Sequence, residues 1–302
     1  MKALVTGGAG FLGSHLVDAL VSRGDTVTVL DNFRRGKRAH LAAHLESGSI
    51  TLVEGDIREY DAVQAVSEGA EVIYHLAAQS NVMGAVEDRE YSFTSNVVGT
   101  FNVLQAAAER GVRRIVFSSS REVYGEPDTL PVSEEAPLRA KNPYGASKVA
   151  GEVYCRTWQR STGVECQVLR FANLYGPRDR DRVIPMWLQR ALEGQELRLY
   201  GGQQVLDFLW VEHAVNALLA AAECSVNGPI NVGSGQGVPL RELADRILNL
   251  TASNSQMQCE PARGVEVVRF VADVHKMREV LGVEPPADPL AGLAPMAASL
   301  AN

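Results

Sequence analysis

The chain opens on a short apolar strand, KALVT, that runs directly into the turn TGGAGFLG and from there into a helix-periodic stretch, FLGSHLVDALVSRG. Gly7, Gly10 and Gly13 stand in a G-x-x-G-x-x-G spacing at the mouth of that helix. A glycine triplet alone often serves only a packing turn. Placed between a buried strand and a helix, it lets backbone N–H groups approach a pyrophosphate at the positive end of the helix. A strand delivered into a helix in this way is the first half of a βαβ unit, so the chain is committed early to a parallel sheet.

The rest of the first half repeats that pattern. TVTVL, ITLVEGD, EVIYHLAA, RRIVFSSS and CQVLRFAN are short, β-branched and followed by turn residues, which predicts buried strands. Between them lie helical segments such as SNVVGTFNVLQAAAERG, closed by Gly111. Alternation of this kind predicts an α/β fold, a doubly wound parallel sheet with helices on both faces. After about Asn173 proline and glycine become denser and the segments shorter, which predicts a smaller C-terminal α/β lobe. The expected division is 1–172 for the sheet domain and 173–302 for the lobe, with the strand VLDFLWV and its following helix, near 204–232, returning to the main sheet.

Composition narrows the function. Among the 302 residues the formal net charge is −7, a poor match to nucleic acid or to an anionic membrane surface. No run approaches the ~18 apolar residues of a membrane span, and the N-terminus has no secretory pattern, so a cytoplasmic protein is expected. Cys155, Cys166, Cys224 and Cys259 lie far apart, without a metal-ligand spacing, and read as reduced thiols with no metal site.

Asp31 ends the second strand, eighteen residues after Gly13. A carboxylate there can accept both ribose hydroxyls of an adenosine and repels a 2′-phosphate, which favours NAD over NADP. The alternative is a loop-capping aspartate, and the neighbouring Arg34, Arg35, Lys37 and Arg38 leave a phosphate partner open. Further on, YGASK places Tyr144 and Lys148 on one helix face, with Pro143 suited to the first turn. A phenol titrates near ~10, and a fixed ammonium beside it favours the phenolate that a general base requires. The serine run FSSSREVYG ends a strand 24 residues earlier, where Ser120 can share a substrate hydroxyl with Tyr144.

With these motifs in order, the sequence resembles the extended short-chain dehydrogenase/reductase family, in its NAD-dependent epimerase/dehydratase branch. The resemblance runs from TGGAGFLGSHLVDALVSRGDTVTVLDN through GDI, HLAA, SSS-xx-VYG and YGASK to RFANLYGPR and PARGVEVVRFVAD. It implies a Rossmann sheet that binds NAD through Gly7, Gly10, Phe11, Leu12, Gly13, Asp31, Asn32, Asp56, Ile57, Leu76, Ala77, Ala78, Asn96, Ser118, Tyr144 and Lys148. It also implies a nucleotide-sugar substrate, most simply a UDP-sugar, held by Gln79, Ser120, Asn173, Arg178, Leu199, Tyr200 and Arg263. Removal of the 4-hydroxyl proton by Tyr144, assisted by Ser120, with hydride passing from carbon 4 to NAD⁺, would give a 4-keto sugar, and a homodimer is expected through the helices that hold Asn96 and Tyr144.

Two departures bear on the reaction. Relatives usually place arginine before the Asp-Phe of VLDFLWV to meet the diphosphate, whereas this chain has Leu206, so Arg263 and then Arg178 are expected to take over. After Ser120, dehydratase relatives typically have Asp-Glu, decarboxylases Ser-Glu, and epimerases small residues. This chain has Arg121 and Glu122, and arginine cannot act as the acid a dehydratase needs. A UDP-hexose 4-epimerase is the expected function. Glu122 as a catalytic group keeps a 4,6-dehydratase or a UDP-glucuronate decarboxylase open, and Glu122 paired with Arg121 is the structural alternative. A non-catalytic NAD sensor is disfavoured by the intact Ser120, Tyr144 and Lys148.

Overall fold

The computed structural model describes residues 1–226 and 228–301. Thirteen strands are present among them: β1 (Lys2–Thr6), β2 (Thr26–Asp31), β3 (Ile50–Glu54), β4 (Val72–His75), β5 (Arg114–Ser120), β6 (Glu165–Phe171), β7 (Asn173–Tyr175), β8 (Leu197–Tyr200), β9 (Val205–Trp210), β10 (Gly228–Val232), β11 (Gly237–Pro239), β12 (Met257–Glu260) and β13 (Arg269–Phe270). Seven of them form one sheet in the order β10-β6-β5-β4-β1-β2-β3, every pair parallel. The strand order reverses between β1 and β4, the point at which doubly wound sheets open a ligand crevice.

Both faces of this sheet are covered, which is why its strands read as continuous apolar runs rather than alternating ones. On one face Leu16, Val17 and Leu20 of the first helix (Phe11–Ser22) pack with Val29, Leu169 and the Val211–Ala221 helix. On the other, Val103, Leu104 and Ala107 of the Gly99–Glu109 helix pack with Ile73, Ile115 and Val168. Each fully buried aliphatic side chain of this kind contributes about 1.5–3 kcal/mol.

The second lobe is built on a four-stranded sheet, in which β9 pairs with β7, β11 and β13, and on the parallel pair β8 and β12. This corrects one expectation. VLDFLWV is the central strand of the small sheet and does not join the main one, whose seventh strand is instead β10, beside β6. The helix after β9 does return, packing on the first helix, as does the later His275–Leu281 helix through Met277 and Leu281. GPINV was concealed in the sequence by its leading Gly-Pro, which marks turns more often than strands.

Asp207 explains why β9 stays in the lobe. Its buried carboxylate accepts the Ser234 amide and hydroxyl at 2.7 Å each, the Gly235 amide at 3.0 Å and the Ala272 amide at 3.1 Å. Two separate segments, at 234–235 and at 272, are thereby fastened to one side chain. Burial pushes this carboxyl up to about 6, against the pull of those donors.

Candidate active site

Local sequence sets the helix of Tyr144 in place. Asn142 caps it, accepting the Gly145 amide at 2.9 Å, Pro143 fills the first turn, and Gly163 ends it at φ +80°. The helix Pro143–Thr162 therefore starts where Tyr144 faces the carboxyl ends of the sheet strands. Those ends line a cavity of about 570 Å³, which extends between the two lobes. Of the residues expected at the site, all but Asn96, Lys148 and Leu199 lie on its wall.

The glycine turn fits a dinucleotide. A side chain at Gly7 would put its Cβ 2.8 Å from Ala77 Cα, and one at Gly13 would overlap the Gly7 carbonyl. Backbone thus comes close on every side of the turn, leaving its open side to the cavity. Asp31 follows at the end of β2, with one carboxylate oxygen on the Ala9 amide at 2.9 Å and the other on the Phe33 amide at 2.8 Å. Those bonds fix the carboxylate toward the cavity and leave lone pairs for two hydroxyls. Burial raises its pKa, partly offset by the two amides.

The two arginines of the basic cluster nearest Asp31 in sequence each have a partner. Arg34 stacks 3.6 Å over the Tyr91 ring and pairs with Asp88 at 3.3 Å, and Arg35 pairs with Asp181 at 3.4 Å. Asp31→Ala is therefore expected to narrow the preference for NAD over NADP, measured by direct titration of both dinucleotides. A wild-type preference for NADP would overturn the role given to Asp31.

Tyr144 is buried beside Ser120. Burial pushes its phenol up, while the Ser120 hydroxyl, Arg182 and Arg121 draw it down and Glu122 raises it. Lys148 stands behind the wall, its ammonium 5.9 Å from the Tyr144 ring centre and donating to the Ser118 carbonyl at 2.7 Å. Burial lowers this ammonium to about 8, with Cys155 and Glu152 opposing.

Glu122 has one partner on each oxygen. One pairs with Arg121 Nη2 at 2.9 Å and the other accepts Asn142 Nδ2 at 2.7 Å. The pairing with Arg121 is the structural alternative read from the sequence.

Asn96 and Leu199 lie off the wall, and Arg178 on the wall is already paired. Asn96 lies in a π-helical turn (Thr94–Val98), where its amide clasps the Gln79 backbone at 2.7 and 3.1 Å and donates to Ser147 at 2.9 Å. With those bonds made, it shapes the wall from behind. Leu199 points into the second core, because strand alternation puts Arg198 and Tyr200 on the cavity side instead. Arg178 is bound to Asp18 of the first helix at 2.8 Å, which ties it to the glycine-turn end of the cleft. Arg263 does sit opposite, stacked 3.6 Å over Tyr200 and paired with Glu266 at 3.1 Å.

Sequence reading passed over Arg182, Arg198 and Asn142. The period-two pattern of LRLY already pointed to Arg198, and the Asn-Pro start of a helix to Asn142. Arg182 gave no such signal in the charged run RDRDR. Nine arginines and six carboxylates line the cavity of a chain that is acidic as a whole, so the cleft suits anionic ligands. No group of metal-ligating side chains and no helix long and apolar enough to cross a membrane occurs among the described residues.

Comparison with known proteins agrees with this geometry. The family model described as NAD dependent epimerase/dehydratase family matches residues 3–233. A UDP-glucose 4-epimerase of Mycolicibacterium smegmatis is 36% identical over 293 residues, covering 94% of each chain. A UDP-N-acetyl-alpha-D-glucosaminuronate decarboxylase of Bacillus cytotoxicus is 35% identical, covering 94% of this chain and 92% of that one. The crystal structure of UDP-glucose 4-epimerase with UDP-glucose from Thermotoga maritima superposes with a TM-score of 0.95 at 31% identity, over 100% of this chain and 99% of that one. Relatives named for different reactions thus match nearly the whole of this chain. The chain belongs to the NAD-dependent epimerase/dehydratase family and is an NAD-dependent enzyme.

Proposed function

We propose that this enzyme is a nucleotide-sugar 4-epimerase acting on a UDP-hexose. The observation that carries the reading is the engagement of Glu122. A dehydratase or decarboxylase exit from a 4-keto sugar draws on an acid/base group near the carbon that reacts second. Glu122 is the carboxylate placed for that work, and Arg121 and Asn142 each bond one of its oxygens, which ties it to the start of the Tyr144 helix. A 4-epimerase needs only the Tyr144 pair and room for the ketone to turn.

The chain's residues divide the work as follows. Tyr144 takes the proton of the sugar 4-hydroxyl and later returns it, with Ser120 holding the hydroxyl between them. Lys148, charged below about pH 8, supports the phenolate and is fixed by the Ser118 carbonyl. When bound, NAD⁺ supplies the hydride acceptor for carbon 4 and a positive charge that further favours the phenolate. Gln79, Asn173 and Tyr200, on the cavity wall, are the groups assigned to the sugar in this reading.

Products formed from UDP-glucose, UDP-N-acetylglucosamine, UDP-glucuronate and dTDP-glucose, identified by NMR, test the reading. A 4-epimer at equilibrium is expected. A stable 4-keto-6-deoxy sugar or a pentose would overturn the proposal in favour of the dehydratase or decarboxylase.

Arg263 is the proposed diphosphate anchor in place of the missing arginine at Leu206. Arg263→Ala should raise the dissociation constant of the nucleotide-sugar by about 1.5–3 kcal/mol, the worth of a charged hydrogen bond. An unchanged constant in calorimetry would assign the diphosphate elsewhere. The exposed Phe93, Val98, Val153 and Tyr154 on neighbouring helices support a homodimer. A monomer mass by light scattering would exclude it.

A further inference from the structure

Arg263 is carried on the loop between β12 and β13, residues 261–268, of which Arg263, Glu266 and Val267 line the cavity. The ends of this loop are fixed within the second lobe, where Glu260 pairs with Tyr200 of β8 and Arg269 with Val205 of β9. Its middle is held from the other side, by residues next to Tyr144. Asn142 Nδ2 donates to the Val265 carbonyl at 3.1 Å, and Lys141 Nζ to the Glu266 carbonyl at 2.8 Å. Glu126 accepts the Val268 and Arg269 amides at 2.9 and 3.0 Å.

Asn142 is the buried member of this set, 6% exposed. Its oxygen caps the Tyr144 helix through the Gly145 amide, while its nitrogen reaches both Glu122, at 2.7 Å, and Val265. An N-cap needs only the oxygen, and serine serves there about as well as asparagine. The nitrogen is therefore surplus to the helix. Its bond to Val265 sets the distance between the first turn of that helix and the Arg263 loop. From there the path to the guanidinium is short. Glu266, whose carbonyl Lys141 holds, donates its amide to the Arg263 carbonyl at 3.1 Å and pairs with Arg263 Nη1 at 3.1 Å. Arg263 is aimed by a residue whose backbone is gripped from the Tyr144 side.

We propose that Asn142 and Lys141 are positioning residues, which hold Arg263 at a set distance from Tyr144 and so bring carbon 4 of a sugar anchored there to the phenol. The inference rests on the assignment of the diphosphate to Arg263. The sugar hangs from that diphosphate, so an error of about 1 Å at the anchor is passed to the reacting carbon, where it can cost about 10²-fold in rate.

A double-variant cycle on the NAD-loaded enzyme tests it. UDP is the calorimetric ligand, and UDP-glucose or UDP-N-acetylglucosamine, whichever the wild type turns over, is the substrate. Asn142→Ser keeps the cap and removes the reach to Val265. Lys141→Met keeps the stem of an exposed side chain and removes its ammonium. Each should weaken UDP roughly 3–10-fold, the range of a lost hydrogen bond, with NAD content and the urea midpoint little changed. Each should also lower kcat at saturating substrate roughly 10-fold. In an Arg263→Ala background the same changes should weaken UDP less than about 2-fold, because the group they position is gone. Losses of UDP affinity that persist in that background, or a wild-type kcat in both variants, would overturn the proposal. Arg263→Ala read alone judges the anchor: a UDP affinity unchanged by it would remove the assignment on which the proposal stands.

Discussion

Tyr144→Phe is expected to lower turnover by about 10²–10⁴-fold, the range of a lost general acid/base, with the NAD content of the purified protein unchanged. The expectation follows from how little else the substitution disturbs. The Tyr144 ring stays buried at the head of its helix, while the helix is set by Asn142, Pro143 and Gly163 rather than by the phenol. Lys148 keeps its bond to the Ser118 carbonyl, and the glycine turn lies on other elements. Only the oxygen that faces Ser120 is lost. Turnover within a few-fold of wild type, in a variant that retains NAD, would remove Tyr144 from the chemistry and shift attention to Glu122.

Much of this was legible in the sequence because local chemistry and function coincide there. The glycine turn, Asp31 and the Tyr144–Lys148 spacing are each dictated by one strand end or one helix turn, so periodicity alone places them on a common edge of the sheet. What escaped depends on contacts between distant segments. β9 is largely apolar, like a strand of the main sheet. Its destination is set by Asp207 gathering loops 27 and 65 residues away. Asn96 looks like a wall residue until Gln79 and Ser147, 17 and 51 residues distant, are seen to occupy its amide. The Arg121–Glu122 pairing was readable as an alternative, since the two are adjacent. The third partner, Asn142, was not, because it arises only when the Tyr144 helix docks.

Behind the site, Arg170→Met should destabilise the protein by about 3–5 kcal/mol, since it leaves a buried carboxylate without its counter-charge. Arg170 of β6 holds Glu152 with two bonds, at 2.9 and 2.7 Å, and its remaining nitrogen donates to the Tyr124 hydroxyl at 2.8 Å and the Glu134 carbonyl at 2.9 Å. Both side chains are more than nine-tenths buried. Glu152 lies one turn beyond Lys148 on the Tyr144 helix and also accepts Ser119 of β5 at 2.5 Å. One ion pair therefore joins β6, β5 and the helix of Tyr144 and Lys148. Replacing arginine alone keeps the volume but strands Glu152, so the double change to Arg170→Met with Glu152→Leu should recover most of the loss, as apolar replacement of a whole buried pair often does. Urea unfolding of the three proteins measures the difference. If Arg170→Met unfolded within about 1 kcal/mol of wild type, Glu152 would have another partner or be protonated, and the pair would not be what fixes the Tyr144 helix to the sheet.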